Sequence, residues 1–298
     1  MFFSKELITD PKFKSGFFLQ GVSSVSDQRT SYTYLNYDGK AIAATEKIWI
    51  MSQWWTPFDF KNAIYKFDND KHIYENESRK CVIDTYKGEI EFSFDSSIEY
   101  DKLYGKVRDK SKPWSHFLIE QDFLSSVRFD RIRNLIAKLN FSIDNVEQVK
   151  PEEQRDDAHA AQFLWYITIK EGKEDQKETL GGRYIWFGIP LYDNRYKKIK
   201  GSVMFDKGFD GATNALIYTM PSELYLKDEP IKFGKEYEIN IDIFPYIKKA
   251  IKLALEEGIF TSESDLVINY MNIGWELPGS FKVKSKISNL HLEAIVYD

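Results

Sequence analysis

Three glutamates stand where a carboxylate could do acid–base work. Glu276 lies in Ile273-Gly-Trp-Glu-Leu-Pro-Gly279, beside Trp275 at the end of a strand-like run. Apolar surroundings raise a carboxyl pKa, as a general acid requires. Glu120 closes His116-Phe-Leu-Ile-Glu120, and Glu238 opens Glu238-Ile-Asn-Ile-Asp242. Glycoside hydrolysis uses two carboxyl groups about 5 to 10 Å apart, one protonated and one ionised. Alternate residues of a strand share a face ~6.5 to 7 Å apart, so a pair such as Glu89 and Glu91 meets the short end of that range. The same pattern also describes a solvated acidic face opposite a core.

Aromatic residues supply the second kind of chemistry. Trp49-Ile-Met-Ser-Gln-Trp-Trp-Thr-Pro-Phe-Asp-Phe60 is the densest aromatic stretch, and its alternation predicts a strand that Thr56-Pro57 ends. Adjacent residues on a strand point to opposite faces, so Trp54 and Trp55 cannot both face one core. An exposed tryptophan serves as a platform for a sugar ring, with Gln53 and Asp59 as nearby hydrogen-bond partners and Trp275 as a further aromatic wall. Arg183-Tyr184, with His116 and Tyr192, raises a lyase alternative in which Tyr or His removes a proton and Arg183 neutralises a uronate.

Other chemistries find no support. Neither His116 with Glu120 nor Asp68-Asn-Asp70 supplies a full ligand set, so no metal is expected. The dinucleotide, Walker, serine-hydrolase elbow and zinc-peptidase motifs are missing, and no cofactor is expected. A net charge of −5 without a long Lys/Arg run argues against nucleic acid as a partner. No apolar run is long enough to span a bilayer, and the amino terminus lacks the features of a secretory signal. A cytoplasmic location is the expectation, although a chain from which a leader had been removed would read the same. The one cysteine, Cys81, sits in a strand-like run and reads as an inert buried thiol.

These residues must be positioned by strands. Aromatic content of 16%, rich in Phe and Tyr, favours them. Arg79 to Tyr86 and Glu89 to Asp95 read as a hairpin, the second run with Ile90, Phe92 and Phe94 on one face. Trp114 to Phe123 places His116, Leu118 and Glu120 on one face, and Leu135 to Val146 follows as a strand. Phe163 to Lys170 and Arg183 to Tyr192 are apolar on both faces, as expected of central strands. Tyr100 to Pro113 reads as a charged loop and Lys150 to Asp157 as a surface loop. One amphipathic helix is expected near residues 245–257, with Pro245 at its first turn and Gly258 at its end. Phe281 to Val296 alternates but changes phase at Ser288-Asn289, which predicts a bulge in one long strand.

The opening Ser15-Gly-Phe-Phe-Leu-Gln-Gly21, the closing strand Phe281 to Val296 and the amphipathic strands between them resemble the concanavalin-A-like lectin and glucanase superfamily. That resemblance implies a jelly-roll sandwich and a carbohydrate ligand. Its glucanases carry Glu-x-Asp-x-x-Glu on one strand, whereas Glu89 to Asp95 and Glu238 to Asp242 present carboxylates in another order and spacing. The expectation is an all-β protein of one domain, residues 1–298, built as a two-sheet antiparallel β-sandwich. Its leading function is carbohydrate binding through exposed aromatic residues. The alternatives are a glycoside hydrolase using Glu276 with Glu120 or Glu238, and an interaction module working through its acidic face.

Overall fold

The computed structural model describes residues 1–20, 22, 32–41, 47–172, 184–206, 215–227 and 230–297. In chain order these carry β1 (Phe2–Glu6), β2 (Phe17–Gln20), β3 (Tyr32–Leu35), β4 (Ile50–Ser52), β5 (Ile64–Asp68), β6 (Lys71–Glu75), β7 (Arg79–Asp84) and β8 (Glu89–Asp95). Helix α1 (Ser96–Tyr104) follows, then β9 (Ser115–Arg128), β10 (Ile132–Gln148), β11 (Gln162–Glu171), β12 (Tyr184–Asp193), β13 (Ser202–Phe205) and β14 (Leu216–Thr219). The chain closes with β15 (Glu236–Asp242), helix α2 (Phe244–Glu256), β16 (Leu266–Leu277) and β17 (Phe281–Tyr297).

The strands form two sheets packed as a sandwich, the expected class. One runs β15-β10-β17-β8-β7-β6-β5, with β1 added beside β17, and the other runs β13-β14-β12-β11-β16-β9-β4-β2-β3. Pairing is antiparallel except at β2 with β4 and β12 with β14, which are parallel. Inward-facing side chains of both sheets meet in one core that includes Phe92, Phe117, Phe141, Phe163, Trp165 and Trp275. Cys81 is fully buried in it, and burial pushes its thiol pKa up.

Alternation decides which faces are buried. In β8, Ile90, Phe92 and Phe94 enter the core while Glu89 and Glu91 point outward. Those acids do not form an acidic face, because lysines of the neighbouring strands neutralise them. Lys284 reaches Glu91 at 3.4 Å, Lys286 reaches Glu89 at 3.4 Å, and Lys71 lies 3.4 Å from Glu91. The phase change in β17 is a bulge, as its sequence predicts. Lys138 faces His291 and Asn140 faces Ser288, leaving one extra residue on β17, and Asn289 takes φ 51°.

The expected helix is α2, whose Ile247, Ala250, Ile251 and Ala254 are buried. A second helix, α1, corrects the loop expected from Tyr100 onward. Asp95 caps its first turn by accepting from the amide of Ser97, and Gly105 closes it in the left-handed conformation at φ 67°. Its buried face is polar, with Glu99 and Tyr100 turned inward, so it lacks the apolar stripe by which helices are recognised.

Candidate active site on the outer face of the nine-stranded sheet

The face of the nine-stranded sheet turned away from the core is paved by cross-strand rows. Strand register fixes them, since directly paired residues point to the same side. One row runs His116, Glu276, Gln162, Asp193 across β9, β16, β11 and β12. The next is Ser52, Leu118, Gly274, Leu164, Pro190, and beyond it lies Ile50, Glu120, Asn272, Tyr166, Gly188. A last row holds Asp122, Tyr270, Thr168 and Trp186. An apolar floor thus separates two polar rows. Leu118 and Leu164 are buried on it, while Trp54, Tyr166, Trp186, Tyr270 and Glu276 remain partly exposed.

Glycine is required in that floor. A Cβ on Gly274 would lie 2.4 Å from both Cα and Cβ of Leu118 and 2.5 Å from the carbonyl oxygen of Phe117, and the residue sits at φ 155°. Its absent side chain lets β16 press against β9 two residues before Glu276.

Glu276 sits at the polar end of this face. Trp114 Nε1 donates to its Oε2 at 3.1 Å, and His116 Nε2 lies 3.5 Å from the same oxygen. The imidazole is stacked against Trp114, ring centroids 5.7 Å apart, and meets the ring of Trp54 edge-on at 5.2 Å. Trp54 is held in turn by its Nε1–H bond to Gln20 Oε1 at 2.6 Å. Burial alone would raise the Glu276 pKa. The charge and hydrogen bond of His116 and the indole of Trp114 outweigh it, so the carboxyl titrates below its ordinary value. This corrects the raised pKa expected from its apolar neighbours: the contacts favour the ionised carboxylate. His116 is itself buried, and its Nδ1 has no hydrogen-bond partner among the described residues.

Helix α1 and a buried arginine set this end of the site. Tyr100 accepts from the amide of Ser115 at 3.0 Å and donates to the carbonyl of Leu277, gripping the neighbours of His116 and Glu276 together. Arg108 donates from Nε to the Pro278 carbonyl at 2.8 Å and from Nη2 to that of Ala158 at 2.5 Å, and its guanidinium lies 5.7 Å from the Trp114 ring centre. Glu99 Oε1 accepts from Thr56 Oγ1 at 2.8 Å, Ser78 Oγ at 2.7 Å and Arg79 Nε at 3.0 Å. The loop carrying Trp54 and Trp55 is thereby tied to a fully buried ion pair.

Glu120 occupies the second polar row. It is buried and accepts from the hydroxyl of Tyr270, which also receives Asn272 Nδ2 at 3.4 Å. Trp186 stands next to this group, its ring 5.8 Å from Tyr270, 5.7 Å from Tyr166 and 5.7 Å from Tyr184. Burial raises the Tyr166 pKa and the charge of Glu276 adds to it.

The other residues singled out in the sequence fall elsewhere. Glu238 lies on β15, exposed on the outer face of the other sheet and thus across the sandwich from Glu276. Trp275 is fully buried between the sheets, its Nε1 donating to Ser285 Oγ at 2.9 Å. Gln53 is also buried and spends its amide on the Gln20 carbonyl, Asp59 Oδ1 and the amide of Phe60. Asp59 caps the short turn after it and pairs with Lys61. Gln53 and Asp59 therefore brace the loop, and Trp275 is core. Trp55 turns the chain with φ 62° and is half-buried. Arg183 lies outside the described residues. Among the described residues, no three His, Cys, Asp or Glu side chains gather as a metal ion would need.

Tyr166, Trp186, Tyr270, Asn272 and Trp114 also belong to the candidate site, and the sequence did not single them out. Asp193 is also in the glutamate's row, but four donors occupy it: Arg195 N, Nε and Nη2, and Gln162 Nε2.

No protein-family model matches the chain, and no curated protein matches its sequence. Solved structures do resemble it. A family 12 xyloglucanase from Bacillus licheniformis is 9% identical with a TM-score of 0.45, covering 78% of this chain and 97% of its own. The endoglucanase Cel12A from Rhodothermus marinus is 9% identical with a TM-score of 0.41, covering 78% and 96%. A metagenome-derived glycoside hydrolase family 12 endoglucanase is 11% identical with a TM-score of 0.42, covering 84% and 99%. Likeness at this level concerns the fold and does not extend to activity.

Proposed function

We propose that the outer face of the nine-stranded sheet binds a poly- or oligosaccharide and hydrolyses it, with Glu276 as the ionised carboxylate and Glu120 as the candidate second carboxyl. One observation carries this reading. Glu276 is held charged in a largely dry setting by His116 and Trp114, at the end of an aromatic-lined face. Keeping a carboxylate ionised while removing it from water costs several kcal/mol unless it is well partnered. Binding a neutral sugar needs no such arrangement. A reaction that develops positive charge at an anomeric carbon, and needs a base beside it, does.

Trp54 and Trp186 supply ring faces or edges at the two ends, and Asn272, Gln162 and Tyr166 supply polar contacts. A binding role without cleavage has one observation in its favour. Glu276 is paired across the strands with His116, and Glu120 lies four residues further along, opposite Asn272. That places the two Cα atoms roughly 14 Å apart at ~3.3 Å per residue and ~4.8 Å between strands.

The test is incubation with a panel of soluble polysaccharides while following tryptophan fluorescence and new reducing ends. Hydrolysis abolished by Glu276→Gln supports the enzyme. A saturable fluorescence change without new ends leaves a binding protein, and silence across the panel removes the carbohydrate reading.

A further inference from the structure

We infer that the molecule holds a second saccharide site, for a neutral sugar, in a cavity of about 630 Å³ on its flank beside the loop that carries Trp54. The inference rests on the carbohydrate reading above, not on cleavage, and the cavity shares no lining residue with the outer face of the nine-stranded sheet.

The hairpin of β5 and β6 makes its floor. Ile64 pairs with Glu75 and Lys66 with Ile73, so these four side chains share one side. Tyr65 and Tyr74 take the other side, against the core, and the four therefore point out from the eight-stranded sheet. Ile73 is buried although it points outward. Pro57 and Phe58 line the cavity from the Trp54 loop, Asn76 and Glu77 from the turn after β6, and Lys102 from α1.

This lining is fixed before a ligand arrives. Phe58 is fastened at both of its peptide groups: its amide donates to Thr56 Oγ1 at 3.1 Å, and its carbonyl accepts from Asn76 Nδ2 at 3.2 Å. Thr56 in turn donates to the buried Glu99, and Asn76 Oδ1 accepts from the amides of Ser78 and Arg79 at 3.1 and 2.9 Å. A site ordered in advance spends less of its binding energy on ordering itself.

The chemistry of the lining selects the ligand. Its volume lies within the ~300 to 1,000 Å³ of small-molecule sites. Apolar surface comes from Pro57, Phe58 and the two isoleucines, and polar groups of both signs surround it. Asp59 and Glu75 are matched by Lys61 at 3.2 Å and Lys80 at 3.1 Å. The side chains of Asn62, Lys66 and Glu77 make no hydrogen bond or ion pair among the described residues. A ligand of one charge meets attraction from some of these groups and repulsion from others, whereas a hydroxyl donates to Glu77 and accepts from Asn62 or Lys66. A sugar ring, with an apolar C–H face and a hydroxyl edge, uses the whole lining. Lys102 Nζ stands 4.3 Å from the centre of the Phe58 ring. An exposed contact of this kind is weak, so the ammonium can turn to a hydroxyl and yield the ring to the sugar. A polysaccharide held here is kept beside the outer face, because one loop carries both Trp54 and Phe58.

The experiment is amide NMR of the isotope-labelled whole chain during titration with neutral hexamers of glucose, xylose and mannose, and with a uronate hexamer and a glucosamine hexamer as charged controls. A neutral hexamer is expected to shift the side-chain amides of Asn62 and Asn76, in Trp54→Ala as in the unaltered chain, with an affinity that salt hardly changes. Phe58→Ala should weaken that binding by about 10-fold or more. Asn62→Ala, which removes no contact of the fold, should weaken it in the same direction and serves if Phe58→Ala does not fold. Shifts confined to the nine-stranded sheet overturn the second site and leave the carbohydrate reading standing. Cavity shifts that only a charged hexamer produces, and that salt abolishes, overturn the assignment to a neutral sugar. Binding unchanged in Asn62→Ala and in folded Phe58→Ala overturns the cavity as its place, and no shift with any hexamer overturns the carbohydrate reading as well.

Discussion

Trp114 and Glu276, far apart in the chain, meet through one indole N–H directed at a carboxylate oxygen 3.1 Å away. A hydrogen bond to a charged acceptor contributes about 1.5 to 3 kcal/mol. Trp114→Phe keeps the ring over His116 and removes the donor. Its kcat/KM should fall by about 10- to 100-fold if the carboxylate is the reacting base, measured as release of reducing ends. An unchanged value would make the bond structural only.

The same contacts set a pH dependence. Burial pulls the Glu276 pKa up, and His116 and Trp114 more than reverse it, so the group titrates below its ordinary value. The acid limb of kcat/KM should therefore lie below pH 4.5, and His116→Phe should move it upward. The same shift bears on stability. A depressed carboxyl pKa stabilises the fold above its unfolded value and loses that contribution as pH falls through the folded one. An acid limb unmoved in the variant would detach His116 from the titration.

Glu99 should be a stability residue, not a chemical one. It and Arg79 are both fully buried, and Thr56 and Ser78 complete its partners. Glu99→Ala leaves the guanidinium buried without its counter-charge, at a cost of about 3 to 5 kcal/mol, read from urea unfolding. Because Thr56 loses its anchor as well, the fluorescence of the Trp54 loop should change under native conditions.

Gly274→Ala tests the close approach of β16 to β9. A methyl group would overlap backbone at 2.4 to 2.5 Å, and relief requires the strands to part beside Glu276. Both a lower unfolding midpoint and lost hydrolysis are expected, by a destabilisation of roughly 1 to 3 kcal/mol or more. A variant of native stability and activity would show that the floor can yield.

Glu6 makes β1 sensitive to acid. Burial favours its neutral form, but the hydrogen bond from His291 and the amides of Leu292 and Ile8 hold its pKa below the ordinary value. The tether is present above the unfolded carboxyl pKa and lost as pH falls through the folded one. Hydrogen exchange should show β1 amides losing protection in acid before those of β10, and Glu6→Gln should show that lower protection of β1 already at neutral pH.

Much of the fold was legible because burial on one side of a sheet imprints a two-residue period. The apolar face of β8 and the phase change in β17 are read directly from their sequences. Helix α1 left no such imprint, since its buried residues include Ser96, Ser97 and Glu99; its signals were the caps Asp95 and Gly105. In the site, Glu276, Glu120 and Trp54 could be chosen by residue type. Alternation also held a correction that residue type obscured: Trp275 and Glu276 are neighbours on a strand, so only one of them can face outward. What alternation does not carry is the partner across the strands. His116 faces Glu276 because β9 and β16 are adjacent, and Trp114 joins them from a loop that α1 and Arg108 shape.

The lysine and glutamate lattice outside β8 and β17 gives the molecule a front and a back. The back is ruled with alternating charges that hold water and discourage another sheet from stacking there. The front carries the partly exposed tryptophan and tyrosine rings. On the proposed carbohydrate reading, the front is the side that would meet a polymer surface. Raising the salt concentration screens the back and leaves the rings of the front in place, so adsorption to a fibre should persist in brine and still be directional.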